Sequence, residues 1–111
     1  GFGGICLDFA HLENERRCHN KKYTQWLKLL KKYPIGCNHI AVVKKVRQRD
    51  INGFFTYHTH YLDNFSELDY LRSYPLNYFS QYIAIELENS LKEQLKVIDY
   101  IVNLLSSGKS K

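Results

Sequence analysis

The stretch Tyr82-Ile83-Ala84-Ile85-Glu86-Leu87 decides the fold class of this chain. Its nearly continuous apolar character is typical of a strand covered on both faces, as strands are in parallel sheets. Two other runs have the same character: Gly4-Ile5-Cys6-Leu7, which is followed by Asp8, and His39-Ile40-Ala41-Val42-Val43. The sequence therefore predicts three buried strands that pair in parallel.

A predicted helix over residues 22–32 separates the first two strands. Its apolar side chains recur at the i, i+3, i+4 and i+7 spacing of one helical face, and they are Tyr23, Trp26, Leu27 and Leu30. The helix is predicted to end before Pro34 and Gly36, which are both unfavourable in a helix interior.

A second helix is predicted after the third strand, over residues 90–105. It opens with Ser90-Leu91-Lys92-Glu93, which has the pattern of a capping box. Gly108 is a plausible stop signal. We expect one apolar stripe of this helix to face the core, formed by Leu91, Leu95, Ile98, Val102 and Leu105.

The segment between the second and third strands is less regular. Residues 44–50 are highly charged and predict a basic loop that leads to an Asn52-Gly53 turn. Residues 54–57 fit a short strand or an ordered loop equally well. Ser66 is predicted as the N-cap of a short helix that ends before Pro75.

The composition agrees with one small α/β domain. With 44% hydrophobic residues, the chain is neither disordered nor collagen-like, and 111 residues are too few for two ordinary domains. We expect a single partial domain over residues 1–111 with a polar tail at 106–111. No apolar run reaches the roughly 18–20 residues of a membrane span, and no signal peptide is evident. Three cysteines cannot all pair, so we expect reduced thiols and a cytoplasmic protein.

Side chains that bind metals recur where the predicted strands begin or end. They are Asp8 and His11 (as D-x-x-H), His39, His58, His60 and Glu86. The carboxyl ends of parallel strands share one rim, and carboxylates with imidazoles suit Zn²⁺, Mn²⁺ and related divalent ions. Each has a structural alternative: Asp8 as a helix cap, His39 as a hydrogen-bonded structural histidine, and Glu86 as a paired or protonated acid.

The motifs GICLDFAHL (3–11), N-H-I (38–40), H-T-H (58–60) and I-E-L-E-N (85–89) occur in a recognisable order. In this order they resemble the xylose isomerase-like TIM-barrel superfamily, which includes sugar isomerases, epimerases and endonuclease IV. The resemblance covers residues 3–105. It implies that the chain is the C-terminal part of a (β/α)8 barrel, with about three βα units and parallel strands.

The resemblance also implies a set of ligands for a divalent metal ion, whether Zn²⁺, Mn²⁺, Mg²⁺ or Co²⁺. Asp8, His39 and Glu86 match the carboxylate, strand-histidine and final-strand glutamate ligands, and His11 matches the histidine of D-x-x-H. His60 matches the histidine of an Asp-x-His pair in the endonuclease branch, where His58 replaces the aspartate as an additional ligand. Glu86 is the implied catalytic residue.

The function implied first is that of a metal-dependent sugar or sugar phosphate isomerase or epimerase. In that chemistry the metal stabilises an enediolate while a carboxylate moves the proton. Such a fragment would be inactive without a missing N-terminal barrel half or an oligomeric partner.

Two alternatives stay open at this point. One is an endonuclease IV-like phosphodiesterase acting on abasic DNA, since the formal net charge is +5. The other is a non-enzymatic binding module, whose six Phe and nine Tyr would stack on single-stranded nucleic acid. The substrate itself is not indicated by any motif.

Overall fold

The structure, a computed structural model, describes residues 4–49 and 51–109. The strands are β1 (Ile5–Asp8), β2 (Ile35–Ile40), β3 (Val42–Arg49), β4 (Phe55–Thr59) and β5 (Ile83–Ile85), and the α-helices are α1 (Phe9–Cys18), α2 (Asn20–Lys32) and α3 (Leu91–Lys109). Between β4 and β5 the chain forms two 3-10 segments, Phe65–Ser73 and Leu76–Tyr78.

β1, β2 and β5 form a parallel sheet in which β2 is the central strand. The register places Asp8 opposite His39 and His39 opposite Ala84. The expectation of three parallel neighbouring strands is therefore confirmed. The three run in the same direction, so their carboxyl ends lie at the same edge of the sheet. The expected burial of the third strand is wrong, because Ile83 and Ala84 are exposed.

The helices cover the sheet through a continuous core. α1 contributes Phe9 and Leu12, both almost fully buried, and α2 contributes the buried Leu30. The other members of the predicted α2 face are partly buried against this core: Tyr23, Trp26 and Leu27. α1 itself forms within a stretch for which the sequence predicted no element, because Phe9, Ala10 and Leu12 anchor its first turn.

The prediction of a TIM-barrel segment is wrong. Beside the parallel sheet, β3 and β4 form a separate antiparallel two-stranded sheet, and in the described residues no α-helix joins β2 to β5. The chain reverses at Gly53, whose φ of +85° is accessible to glycine at little cost. Residues 42–49 consequently pair with 55–59 instead of entering a crossover helix, and the fold is a small α/β arrangement.

The second predicted strand and the basic loop after it are also corrected. Buried Ala41 divides residues 39–43, so that β2 ends at Ile40 and β3 begins at Val42. Residues 44–49 of the expected loop belong to β3, while residue 50 lies outside the described residues. Lys44 is buried, with its Nζ 2.5 Å from Asp63 Oδ2 and 2.9 Å from Glu67 Oε2. A lysine is rarely buried unless it is paired in this way.

The helix predicted from Ser66 is a 3-10 segment with a different cap. Asn64 is the N-cap: its Oδ1 accepts from the Ser66 N–H at 2.9 Å, while Glu67 Oε1 accepts from the Asn64 N–H at 3.2 Å. These reciprocal bonds satisfy backbone donors at the start of the segment. In α3 one half of the predicted capping box is present, because the Glu93 N–H donates to Ser90 Oγ at 3.2 Å. The Glu93 carboxylate accepts from the Ser90 hydroxyl at 3.2 Å instead of from the Ser90 backbone N–H.

Most of the predicted buried stripe of α3 faces outward, and of its five members only Leu105 packs against the core. Leu91, Leu95, Ile98 and Val102 are 44–73% exposed, whereas the side chains that enter the core are Val97, Ile101 and Leu104. Both sets have helical spacing, and the position of the 3-10 segment Phe65–Ser73 selects the second. No helix in the described ranges has the length and apolar character needed to cross a membrane.

Gly4→Ala is expected to destabilise the protein by about 2 kcal/mol or more. Gly4 has a φ of +138°, and a Cβ there would lie 2.9 Å from the backbone atoms Pro34 O and Gly36 N. Gly53→Ala is the matched control, because Gly53 also has positive φ but has open space around it. Thermal or urea unfolding should show the larger loss for Gly4→Ala; equal losses would contradict the close-approach argument.

Candidate metal centre

Three side chains meet at the carboxyl edge of the parallel sheet. Asp8 ends β1, His39 lies opposite it on β2, and Glu86 follows β5 two residues beyond Ala84, the register partner of His39. Alternate residues of a strand point to the same face. The Glu86 N–H also donates to the Ile40 carbonyl at 2.8 Å, so the β5 ladder extends to this residue.

The ligand atoms of Asp8, His39 and Glu86 all lie within 4.8 Å of one another. His39 Nδ1 is 3.1 Å from Glu86 Oε1, and the two side chains are 40% and 38% exposed. Asp8 Oδ1 accepts from the His11 N–H at 3.0 Å, which caps α1 and orients the carboxylate. Asp8 is thus a helix cap and Glu86 a paired acid, as the structural alternatives predicted, and both side chains also converge with His39.

The other three histidines that the sequence predicted as ligands, His11, His58 and His60, lie near this group but do not belong to it. His11 lies one turn into α1, with its Nε2 3.7 Å from Glu15 Oε1. His60 Nδ1 lies 3.2 Å from the Glu86 carbonyl, and the rings of His58 and His60 are 4.8 Å apart. In the described part of the chain, no set of three ligand atoms that includes His11, His58 or His60 converges as the first group does.

His58 is the most unusual of them. Burial lowers the pKa of His58, and the neighbouring His60 and His11 lower it further. The negative charges of Asp8 and Glu86 raise this pKa but do not outweigh the burial. Its Nε2 is buried and has no hydrogen-bond partner among the residues described. A neutral ring with one unsatisfied nitrogen therefore faces the region beside the candidate centre.

Two buried asparagines, whose structural role the sequence did not reveal, hold the loops around the centre. Asn89 Oδ1 accepts from the Leu62 N–H at 2.8 Å and its Nδ2 donates to the Leu62 carbonyl at 2.9 Å, which fixes the loop after His60 beside Glu86. Asn38 Nδ2 donates to the Tyr78 carbonyl, and its Oδ1 accepts from the Ser80 N–H. The position of Asn38 within the strand Ile35–Ile40 was the available signal for its role, whereas Asn89, between Glu88 and Ser90, carried none.

A cysteine pair also lies on this face of the sheet. Cys6 is the register partner of Cys37, each two residues before a predicted ligand on its strand. The hydrogen bond with Cys37, together with burial, raises the pKa of the Cys6 thiol to about 11. The repeated C-x-D and C-x-H spacing is the signal that would have predicted this pair.

The donor set fits a divalent metal ion. Two carboxylates bring negative charge, and one imidazole adds a nitrogen donor of the kind that Zn²⁺, Mn²⁺ and Co²⁺ accept. All three side chains are partly open to solvent, so an ion has access and further coordination positions stay free.

Comparisons with known proteins add no relative, since no family model, curated protein or solved structure matches this chain.

Proposed function

We propose that Asp8, His39 and Glu86 bind one divalent metal ion, and that the protein is a metal-dependent isomerase or epimerase of a small sugar or sugar phosphate. The observation that carries this proposal is the convergence of the three ligand atoms within 4.8 Å at the carboxyl edge of a parallel sheet. The order of the D-x-x-H, N-H-I, H-T-H and I-E-L-E-N motifs supports a relationship to the xylose isomerase-like superfamily in ligand pattern. The barrel forms no part of the proposal.

Each of the three side chains has a distinct part in this proposal. When bound, the ion supplies Lewis-acid polarisation of the substrate oxygens. Asp8 and His39 hold it from adjacent strands. Glu86 would accept the proton from the carbon next to the carbonyl and return it to the neighbouring carbon, which completes an isomerisation; an epimerisation would need a second acid on the opposite face of the substrate.

Metal titration tests the proposal directly. Protein stripped with EDTA should bind one Mn²⁺ or Co²⁺ per chain by calorimetry, with a rise in melting temperature because the ion binds only the folded state. His39→Gln should lose saturable binding, whereas His19→Gln, which changes an exposed histidine outside the group, should retain it. Absence of saturable binding to the unchanged protein would refute the metal centre.

The enzymatic part is tested by proton exchange. When the metal-loaded protein is incubated with aldose and ketose phosphates in D₂O, the sugar should incorporate deuterium next to its carbonyl carbon. NMR measures this incorporation together with the interconversion of the two sugars.

The three free cysteines support a proposed location in the cytoplasm, where thiols stay reduced.

A metal-dependent phosphodiesterase acting on abasic DNA is the second candidate. The packing of His58 against His60 next to the same group favours it, because clustered imidazoles can hold additional ions. Metal-dependent nicking of a duplex with one abasic site, without deuterium incorporation into sugars, would select this function over the first.

A further inference from the structure

A cavity lies between α1 and the β3–β4 hairpin. It has a volume of about 610 Å³, within the range of small-molecule sites. Its lining includes two guanidinium and three imidazole side chains, from Arg17, Arg47, His11, His19 and His58, and no carboxylate among the described residues.

The two arginines are held in place by aromatic rings. The Arg17 guanidinium carbon lies 5.0 Å from the centre of the Tyr57 ring, and that of Arg47 lies 4.8 Å from the Phe55 ring. Stacking on a ring leaves the edge of the Arg47 guanidinium plane, with its N–H donors, for a ligand. Arg17 already donates from Nε to Glu13 and from Nη1 to the Lys44 carbonyl, so it offers only its remaining N–H donors. A planar guanidinium can grip two oxygens of a phosphate at once.

Among the described residues, Glu13 is the carboxylate that pairs with an arginine of this cavity. Arg17 donates to Glu13, but that carboxylate also accepts from Arg16, so one negative charge serves two guanidiniums. Arg47 makes no ion pair with any carboxylate in the described ranges; its contact there is the Phe55 ring. A dianion in this cavity would therefore meet an excess of positive charge.

The cavity adjoins the candidate metal centre. His11, which lines it, donates its backbone N–H to Asp8, and His58, which also lines it, feels the charges of Asp8 and Glu86. The three proposed metal ligands do not themselves line the cavity, so His11 and His58 are the residues that connect it to the centre.

We infer that this cavity, which we term the arginine groove, binds the phosphate monoester of the substrate through Arg47 and Arg17. Resting on the proposed function, this inference narrows the substrate class to phosphorylated sugars. A small monoester fits better than a nucleic-acid backbone, because the positive side chains converge on one concavity and do not follow an extended track.

Ribose 5-phosphate and unphosphorylated ribose serve as probes, titrated by calorimetry into EDTA-treated protein so that the metal does not contribute. Arg47→Gln is compared with Arg49→Gln. Arg49 lies two residues along β3 and contacts the same Phe55 ring at 4.8 Å, but it does not line the groove. Equal melting temperatures of the two variants check that the fold is intact.

We expect Arg47→Gln to weaken ribose 5-phosphate binding about tenfold, the equivalent of roughly 1.4 kcal/mol, and Arg49→Gln to change it less than about twofold. Ribose should bind the three proteins equally. Unchanged phosphate binding in Arg47→Gln, or equal loss in both variants, would overturn the inference. Stronger binding of an abasic DNA duplex with a steep salt dependence would overturn it in favour of a nucleic-acid surface.

The test of phosphate binding by the arginine groove can be distinguished from the test of metal binding by the proposed function. Glu86→Gln should lose metal binding and keep the phosphate affinity of the groove, while Arg47→Gln should keep one metal ion per chain. If the unchanged protein binds no metal but shows Arg47-dependent phosphate affinity, the proposed function fails and the groove stands as an anion site.

Discussion

Glu86→Gln is expected to reduce turnover by about 10³-fold or more, since loss of a general base alone costs about 10²–10⁴-fold. Gln keeps the volume of Glu but carries no negative charge and accepts no proton. It therefore removes both the proposed metal ligand and the proposed base, while the backbone bond from residue 86 to the Ile40 carbonyl remains. Deuterium incorporation in D₂O and the metal content per chain measure the two losses separately.

Glu88→Gln is a demanding control for this change. Glu88 lies two residues along the chain, is exposed, and uses its backbone N–H to bond the His60 carbonyl at 2.7 Å, but its carboxylate does not belong to the converging group. Its metal content and turnover should match those of the unchanged protein. Normal metal content and turnover in Glu86→Gln, with raised melting temperature, would identify Glu86 as a structural acid and refute the mechanism.

Glu13→Gln should destabilise the fold by about 3 kcal/mol, because breaking a buried charge network from one side leaves its partners uncompensated. Glu13 is 1% exposed and accepts hydrogen bonds from Arg16, Arg17 and Tyr74. The Tyr74 hydroxyl reaches it from the 3-10 region at 2.8 Å, so the network joins α1 to the segment between β4 and β5. Urea unfolding at neutral pH measures the loss.

Glu15→Gln is the matched control on the same helix. Glu15 is also buried, but its Oε2 has no hydrogen-bond partner among the described residues, and its Oε1 lies 3.7 Å from His11 Nε2. Replacing a carboxylate that lacks partners removes a desolvation cost, so this variant should match or exceed the stability of the unchanged protein. A larger loss in Glu15→Gln than in Glu13→Gln would contradict the assignment of the network.

The Glu13 network also predicts the direction of the pH dependence. Burial alone would raise the pKa of Glu13, but the hydrogen bonds from Arg16, Tyr74 and Arg17 outweigh it and hold the pKa below its ordinary value of 4.5. A depressed folded-state pKa stabilises the protein above pH 4.5, and this contribution is lost as the pH falls through the folded-state value. Glu13→Gln should therefore flatten the acid limb of the stability profile.

Local sequence determined the secondary structure wherever short-range rules suffice. The apolar runs gave β1 and β5, the spacing of Tyr23, Trp26, Leu27 and Leu30 gave α2, and Ser90 with Glu93 gave the start of α3. These features depend on neighbours within about one turn or one pleat, so the pattern alone specifies them. The placement of Asp8, His39 and Glu86 at strand ends was visible for the same reason.

Tertiary structure alone decided how the elements meet. α3 carries two apolar stripes. The position of its packing partner, the 3-10 segment Phe65–Ser73, decides that Val97, Ile101 and Leu104 are buried, whereas Leu91, Leu95, Ile98 and Val102 are exposed. Lys44 enters the interior because Asp63 and Glu67, about twenty residues away, supply its partners. The hairpin of β3 and β4 replaces the expected crossover helix because pairing between distant residues outweighs local preference. The sequence could identify Asp8, His39 and Glu86 as candidate metal ligands, but the parallel register of the strands brought their side chains together.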